Sequence, residues 1–196
     1  MASTAKMLRA QQRVAGAAFA IAIAFAALLP SQAHPKEAVP LMQDQRGRAF
    51  SLTSIGAPVV LTFVSAHCVD ACPLINAQFA RMQQTLRRSR IPVRLLTLSL
   101  DPEHDRAKDM RQIATTFAAD RRFWIVGTAP ASILYGLMHR FGVTAQRGSR
   151  EYDDIHTTFV YLLDKRGRFV KTMLAGTNLS ADVFAELQRD WNKLDV

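Results

Sequence analysis

The stretch Phe63-Val64-Ser65-Ala66-His67-Cys68-Val69-Asp70-Ala71-Cys72-Pro73-Leu74 holds both cysteines of this 196-residue chain. It follows an apolar run, Ala57 to Val64, and precedes a segment with helical spacing of apolar residues, so it reads as a turn from strand to helix. Proline is tolerated in a first helical turn and disfavoured inside a helix, so Pro73 predicts the helix start and 68–72 the approach to it. Unpaired backbone N–H groups at such a terminus stabilise negative charge, so both thiols are expected to ionise more readily than free cysteine. Three chemistries remain open at this point: a redox disulfide, a thiolate nucleophile, and binding of a soft ion such as Cu(I) or Zn(II).

Outward from the turn, the pattern alternates strands and helices. The run to Val64 is apolar almost throughout, as a strand in a sheet covered on both faces must be. From Pro73 to Arg88, residues Leu74, Phe79, Met82 and Leu86 recur at helical spacing. A second apolar strand, Val93 to Leu100, ends at Asp101-Pro102-Glu103-His104-Asp105, and a helix is expected from Arg106 to Ala119. Phe123 to Val126 predicts a short strand, with Thr128 as cap of a helix from Ala129 to Phe141. Thr144 to Asp154 reads as a polar, basic loop. Asp164-Lys165-Arg166-Gly167 between Thr157–Leu163 and Phe169–Leu174 is a hairpin signal, and Ser180 is expected to cap a last helix to about Leu194. Ahead of all this, Asp44-Gln45-Arg46-Gly47 marks a turn, with Phe50-Ser51-Leu52 as hairpin partner. The order β-α-β-α-β-α-β-β-α after an N-terminal hairpin specifies one α/β domain of the thioredoxin-like class, a central mixed sheet flanked by helices.

Residues 1–33 stand apart. Lys6, Arg9 and Arg13 precede an apolar run from Val14 to Leu29 and a small-x-Ala ending at Ser31-Gln32-Ala33, the pattern of a signal peptide or, uncleaved, of an N-terminal membrane anchor. The expected organisation is therefore 1–33 signal or anchor, 34–40 linker with Pro35 and Pro40, and 41–196 domain, exported to the periplasm or held at the inner membrane facing it. The net charge of +9 includes three cations of the presequence, leaving 22 basic against 16 acidic residues in the remainder. Nucleic acid is excluded as a partner by export, while an acidic protein surface or anionic lipid fits the charge. In an oxidising compartment the bland fate of two thiols is a structural disulfide. A bridge closing so short a loop restricts the unfolded chain little, so the pair suits chemistry that cycles better than it suits stapling.

Four ordered motifs, Cys68-x-x-x-Cys72-Pro73, Asp101-Pro102-Glu103-x-Asp105, Val126-Gly127-Thr128, and Asp154-Ile155-His156 ahead of Phe159 to Asp164, resemble the SCO/SenC copper-chaperone family from about Leu41 to Trp191. The resemblance implies a thioredoxin-like fold and one copper ion held by Cys68, Cys72 and His156. It also implies delivery of that copper to the binuclear copper centre of cytochrome c oxidase, with the copper-bearing subunit as partner. Two thiolates suit Cu(I), and an added imidazole accommodates Cu(II). Thioredoxin-like oxidoreductases place a proline at the strand facing their cysteines; this chain has no proline after Pro130, and Ile155-His156-Thr157 stands at the corresponding strand entrance.

The remaining candidates carry weaker signals. His67 adjoins Cys68 as an accessory ligand or as a residue that tunes its thiolate, although a side chain pointing away is the simpler expectation. Asp101 and Asp105 resemble family acids that shape the site, against the alternative of a loop with a helix cap at Asp105. Asp70 reads as a solvated turn residue, and His104 and His139 as surface positions. His34 would become a chelating N-terminus if cleavage follows Ala33. Val69 departs from the proline many relatives carry there, which changes the surface beside the first cysteine. Competing functions are an exported thiol-disulfide oxidoreductase, which would use Cys68 and Cys72 as its redox pair, and a redox or copper sensor.

Overall fold

The computed structural model describes residues 41–89, 91–143, 145–147, 154–156 and 159–195, those at 145–147 and 154–156 as backbone only. The signal-or-anchor and linker expectations, and His34, therefore lie outside the described residues. Among the described residues no helix is long and apolar enough to cross a membrane.

The chain opens with a hairpin, β1 (Met42–Asp44) and β2 (Ala49–Phe50), followed by a single 3-10 turn at Thr53–Ile55. Then come β3 (Val59–Val64), α1 (Ala71–Ser89), β4 (Arg94–Ser99), α2 (Ala107–Thr116), β5 (Trp124–Thr128) and α3 (Ala131–Arg140). After β6 (Ala145–Arg147) and β7 (Asp154–His156), the hairpin β8 (Phe159–Leu163) and β9 (Phe169–Leu174) leads to α4 (Leu179–Arg189) and the short α5 (Trp191–Leu194). Seven strands form one mixed sheet in the order β2-β1-β5-β4-β3-β8-β9, with β3, β4 and β5 parallel to one another and β8 antiparallel to β3. This is the thioredoxin-like arrangement expected of the alternating pattern.

The central strands are buried on both faces, and their alternation sorts them between two apolar cores. Val60 and Val64 of β3 face Phe79, Met82 and Leu86 of α1, together with Trp124, Val183 and Leu187. Val59, Leu61 and Phe63 face the other way, onto Leu134 and Met138 of α3 and Tyr161. Even the threonines of the middle strands are satisfied: Thr62 Oγ1 donates to the Phe159 carbonyl at 3.0 Å, and Thr97 Oγ1 accepts the Trp124 indole N–H at 3.0 Å.

Several element ends differ from the sequence expectation. The first helix starts at Ala71 rather than Pro73, because N–H groups of a first turn need no helical partner and the proline sits there without loss. Thr128 closes β5, and Pro130 precedes α3 with no side-chain cap. Ser180 lies inside the first turn of α4, one residue past its start at Leu179, and the last helix breaks at Asp190 into two pieces. The 144–154 loop contains strand pairing: β6 and β7 form their own antiparallel ladder, with Ala145 opposite His156.

Both hairpin turns carry the sequence Asp-x-Arg-Gly-Arg. In each, the aspartate Oδ1 accepts two backbone N–H groups, from Arg46 and Arg48 to Asp44 and from Arg166 and Arg168 to Asp164, at 2.8 to 2.9 Å. Gly47 and Gly167 adopt φ of +75° and +74°, which glycine reaches without steric cost.

Candidate metal centre

The parallel strands β3 and β4 end side by side, Val64 opposite Ser99, and the cysteine turn leaves the sheet at that edge. Ser65, next in the chain, is 1% exposed and anchors the turn: its carbonyl accepts the Cys68 N–H at 3.3 Å and its hydroxyl the His67 N–H at 3.3 Å. The helix then begins so that the Cys72 N–H points back at Cys68 Sγ, 3.4 Å away. One sulfur thus lies on the helix N-terminus, and the other inside its first turn.

The two thiols are unequal in exposure. Cys68 is partly exposed, whereas Cys72 is 2% exposed and packs into the core beneath α1. Hydrogen bonding to the Cys68 sulfur, then burial, then the negative charge Cys68 would carry push the Cys72 thiol far above the ordinary cysteine range, although a backbone N–H of Ser65 works against them. The expectation that both thiols ionise readily is therefore corrected for Cys72. Two sulfurs in contact hold one charge more easily than two, and the buried partner keeps its proton. A soft cation would supply the missing positive charge, so the chemistry of the pair fits such an ion.

A buried carboxylate supports the turn from below. Asp105 is 4% exposed and accepts the Ala66 N–H at 3.0 Å and the Ser99 hydroxyl at 2.7 Å. Burial, opposed by these bonds, holds its pKa up to about 6. It is not the cap of α2: Arg106 occupies that position, with its N–H bonded to Asp109. The His67 ring is half-exposed and stands 4.0 Å from Asp105, directed to that acid. Asp101 binds the His104 ring at 2.9 Å on the surface; His139 and Asp70 are exposed, as expected.

His156 closes β7, and only its backbone is described, so whether its ring reaches the sulfurs lies outside the described residues. The topology still constrains the question. Strand β8 is antiparallel to β3 with Val160 opposite Thr62, so Phe159 enters the sheet at the end where β3 runs out toward Cys68. His156 comes three positions earlier in sequence. Among the described residues no cluster of three or more metal-ligating side chains forms.

Two features were not read from the sequence. Ser99 ends a mostly apolar strand, and only the fold shows its hydroxyl bonded to Asp105. Asn76, one turn past Cys72, is 2% exposed with its carbonyl oxygen unpartnered. It lines a cleft of about 240 Å³ with Cys68, Cys72, Pro73, Gln112 and Phe117.

The sequence model of the family described as SCO1/SenC matches residues 41–192. A SCO1 protein homolog of Bacillus subtilis is 27% identical over 132 residues, covering 66% of this chain and 68% of its own length. The structure of Bradyrhizobium japonicum ScoI with copper bound superposes with a TM-score of 0.64 at 24% identity, over 76% of this chain and 96% of that one. BsSco, in which a disulfide switch was identified and which is a member of the Sco family of cytochrome c oxidase assembly proteins, gives 0.65 at 24% identity, over 76% and 88%.

Proposed function

Since the chain belongs to the SCO1/SenC family, we propose that it is a copper metallochaperone that carries one copper ion on Cys68, Cys72 and His156 and passes it to the binuclear copper centre of cytochrome c oxidase. The observation that carries this reading is the pairing of two cysteines at the start of α1, where the Cys72 N–H meets Cys68 Sγ at 3.4 Å. Thiolates at this spacing suit Cu(I), and an imidazole brought in from the β8 entrance lets the same site hold Cu(II). Copper in the B. japonicum relative and the assembly role of the family of BsSco support the cargo and the client. Copper here is cargo, so the site must release it as well as bind it; a partly exposed Cys68 beside a buried Cys72 leaves one sulfur accessible to an incoming ligand. The domain 41–196 works outside the cytoplasm, exported by residues 1–33 or anchored through them, with 34–40 as linker.

The test is reconstitution of the reduced protein with copper, following stoichiometry and the thiolate-to-Cu(II) absorption band in wild type and in His156→Ala. One copper per chain, with the band lost or shifted in the variant, is expected. Unchanged binding in His156→Ala, together with ready turnover of disulfide substrates, overturns this reading in favour of a thiol-disulfide oxidoreductase. The observation favouring that second reading is the unequal exposure of the two thiols, Cys68 partly exposed and Cys72 2% exposed, the asymmetry that a thiol-disulfide exchange centre uses.

A further inference from the structure

Among the described residues six large hydrophobic side chains are exposed, and the three most exposed, Val69 at 77%, Leu74 at 70% and Leu174 at 67%, all belong to the cysteine end of the sheet. Val69 sits inside the turn, and Leu74 follows Pro73 on α1. Leu174 ends β9 opposite Phe159, at the edge where β3 gives way to the turn. Beside them runs a groove of about 450 Å³ between α1 and the connection from β9 to α4, lined by Ala71, Leu74, Ile75, Arg81, Gly176 and Leu179 among others. Its walls are tied together, because Gln78 Nε2 of α1 donates to the Thr177 carbonyl at 2.9 Å. Exposed apolar side chains gathered at one place on a soluble domain mark a contact surface.

We propose that this groove docks the protein that receives the copper, through an apolar segment of that protein which carries a carboxylate for Arg81. The inference rests on the metallochaperone reading and adds to it where the recipient lies. Metal passes between proteins by ligand exchange, so the incoming ligand must reach the metal while the outgoing one still holds it, and the recipient must sit against the turn. The groove meets the turn at Ala71 and brings the exposed apolar side chain of Leu74 there to be desolvated. Arg81 sets the charge of the occupant: it is exposed, its side chain bonds only Gln78 Oε1 at 3.4 Å, and it has no ion pair among the described residues. The groove lining contains no acid. Asp70, the acid of the turn, lies beside Val69 and outside that lining, which keeps the two charges apart.

The experiment loads the full mature protein, wild type, Leu74→Ser and Arg81→Glu, with one copper and follows transfer to two acceptors: the copper-free soluble domain of the oxidase copper-bearing subunit, and a small-molecule chelator. Both positions are exposed, so each variant is expected to keep the wild-type melting temperature and copper stoichiometry. Transfer to the protein acceptor is expected to slow about tenfold or more, the scale of a central contact residue, while transfer to the chelator is unchanged. Wild-type rates to the protein in both variants overturn the proposal. So does equal slowing to both acceptors, which would place the effect at the metal, or a wild-type dimer in sedimentation that Leu74→Ser abolishes, which would give the groove to a second copy. Loaded wild type that gives the chelator copper but the protein domain none removes the delivery reading and this inference with it.

Discussion

Cys68 Sγ accepts the backbone N–H of Cys72 at 3.4 Å, so the first sulfur of the pair is stabilised by the helix that the second one helps to begin. The two cysteines of one short motif are thereby made chemically different. Cys68 is partly exposed, while Cys72 is 2% exposed and its thiol is pushed above the ordinary cysteine range by the neighbouring sulfur and by burial.

Alkylation should reveal that difference. In the reduced, metal-free protein at neutral pH, a small alkylating reagent is expected to modify Cys68 roughly tenfold or more faster than Cys72, because only an accessible thiolate reacts quickly. Peptide mapping by mass spectrometry after short exposures reads the two rates. Equal labelling would mean the sulfurs are equivalent in solution.

Asp105 predicts an unusual pH dependence of stability. Its folded pKa of about 6 lies above the 3.8 of an ordinary aspartate, so the folded state holds the extra proton between the two. Stability from this group is fully present below pH about 4 and declines as pH rises through about 6, by up to about 3 kcal/mol. In the metal-free protein Asp105→Asn, which keeps an acceptor for the Ala66 N–H, should flatten that decline. Denaturant midpoints measured between pH 4 and 7 decide it, and parallel profiles for the two proteins would refute the assignment.

Thr97→Val removes the oxygen that accepts the Trp124 indole N–H while keeping the shape of the side chain. Trp124 is 0% exposed, so its donor has no water to turn to. A loss of about 1–3 kcal/mol in chemical denaturation is expected, the cost of one buried donor left unpaired. Copper stoichiometry should not move, since Thr97 and Trp124 lie on β4 and β5 and neither lines the cleft at the cysteines.

The two Asp-x-Arg-Gly-Arg hairpins offer a test of context. At Gly47 an added Cβ meets nothing within 4 Å, so Gly47→Ala should cost only the left-handed backbone term of about 1–2 kcal/mol. At Gly167 the same atom would lie 2.6 Å from Leu52 Cβ, so Gly167→Ala should cost distinctly more. Similar melting temperatures for the two variants would mean that the Leu52 loop yields without penalty.

Most of the fold was legible because its signals are local. Buried parallel strands announce themselves as almost unbroken apolar runs such as Val59–Val64, and helices by the recurrence of Phe79, Met82 and Leu86. The errors fell at element ends, at Pro73, Thr128 and Ser180, where one residue type is compatible with several positions of a first turn. The ladder between Ala145–Arg147 and Asp154–His156 was missed, since pairing across a polar loop leaves no periodicity in either strand.

What the sequence alone determined is the chemistry available: two thiols at a strand-to-helix turn, a histidine ahead of β8, acids after β4, and the family that arranges them in this order. Only the tertiary structure decided how the thiols differ, that Asp105 lies buried beneath the turn with Ser99 rather than capping a helix, and that Val69, Leu74 and Leu174 share the cysteine end of the sheet. The reason is physical. Residue type and spacing set which groups can ionise or bind, whereas burial and contact between residues distant in the chain set which of them does so, and no local pattern encodes those contacts.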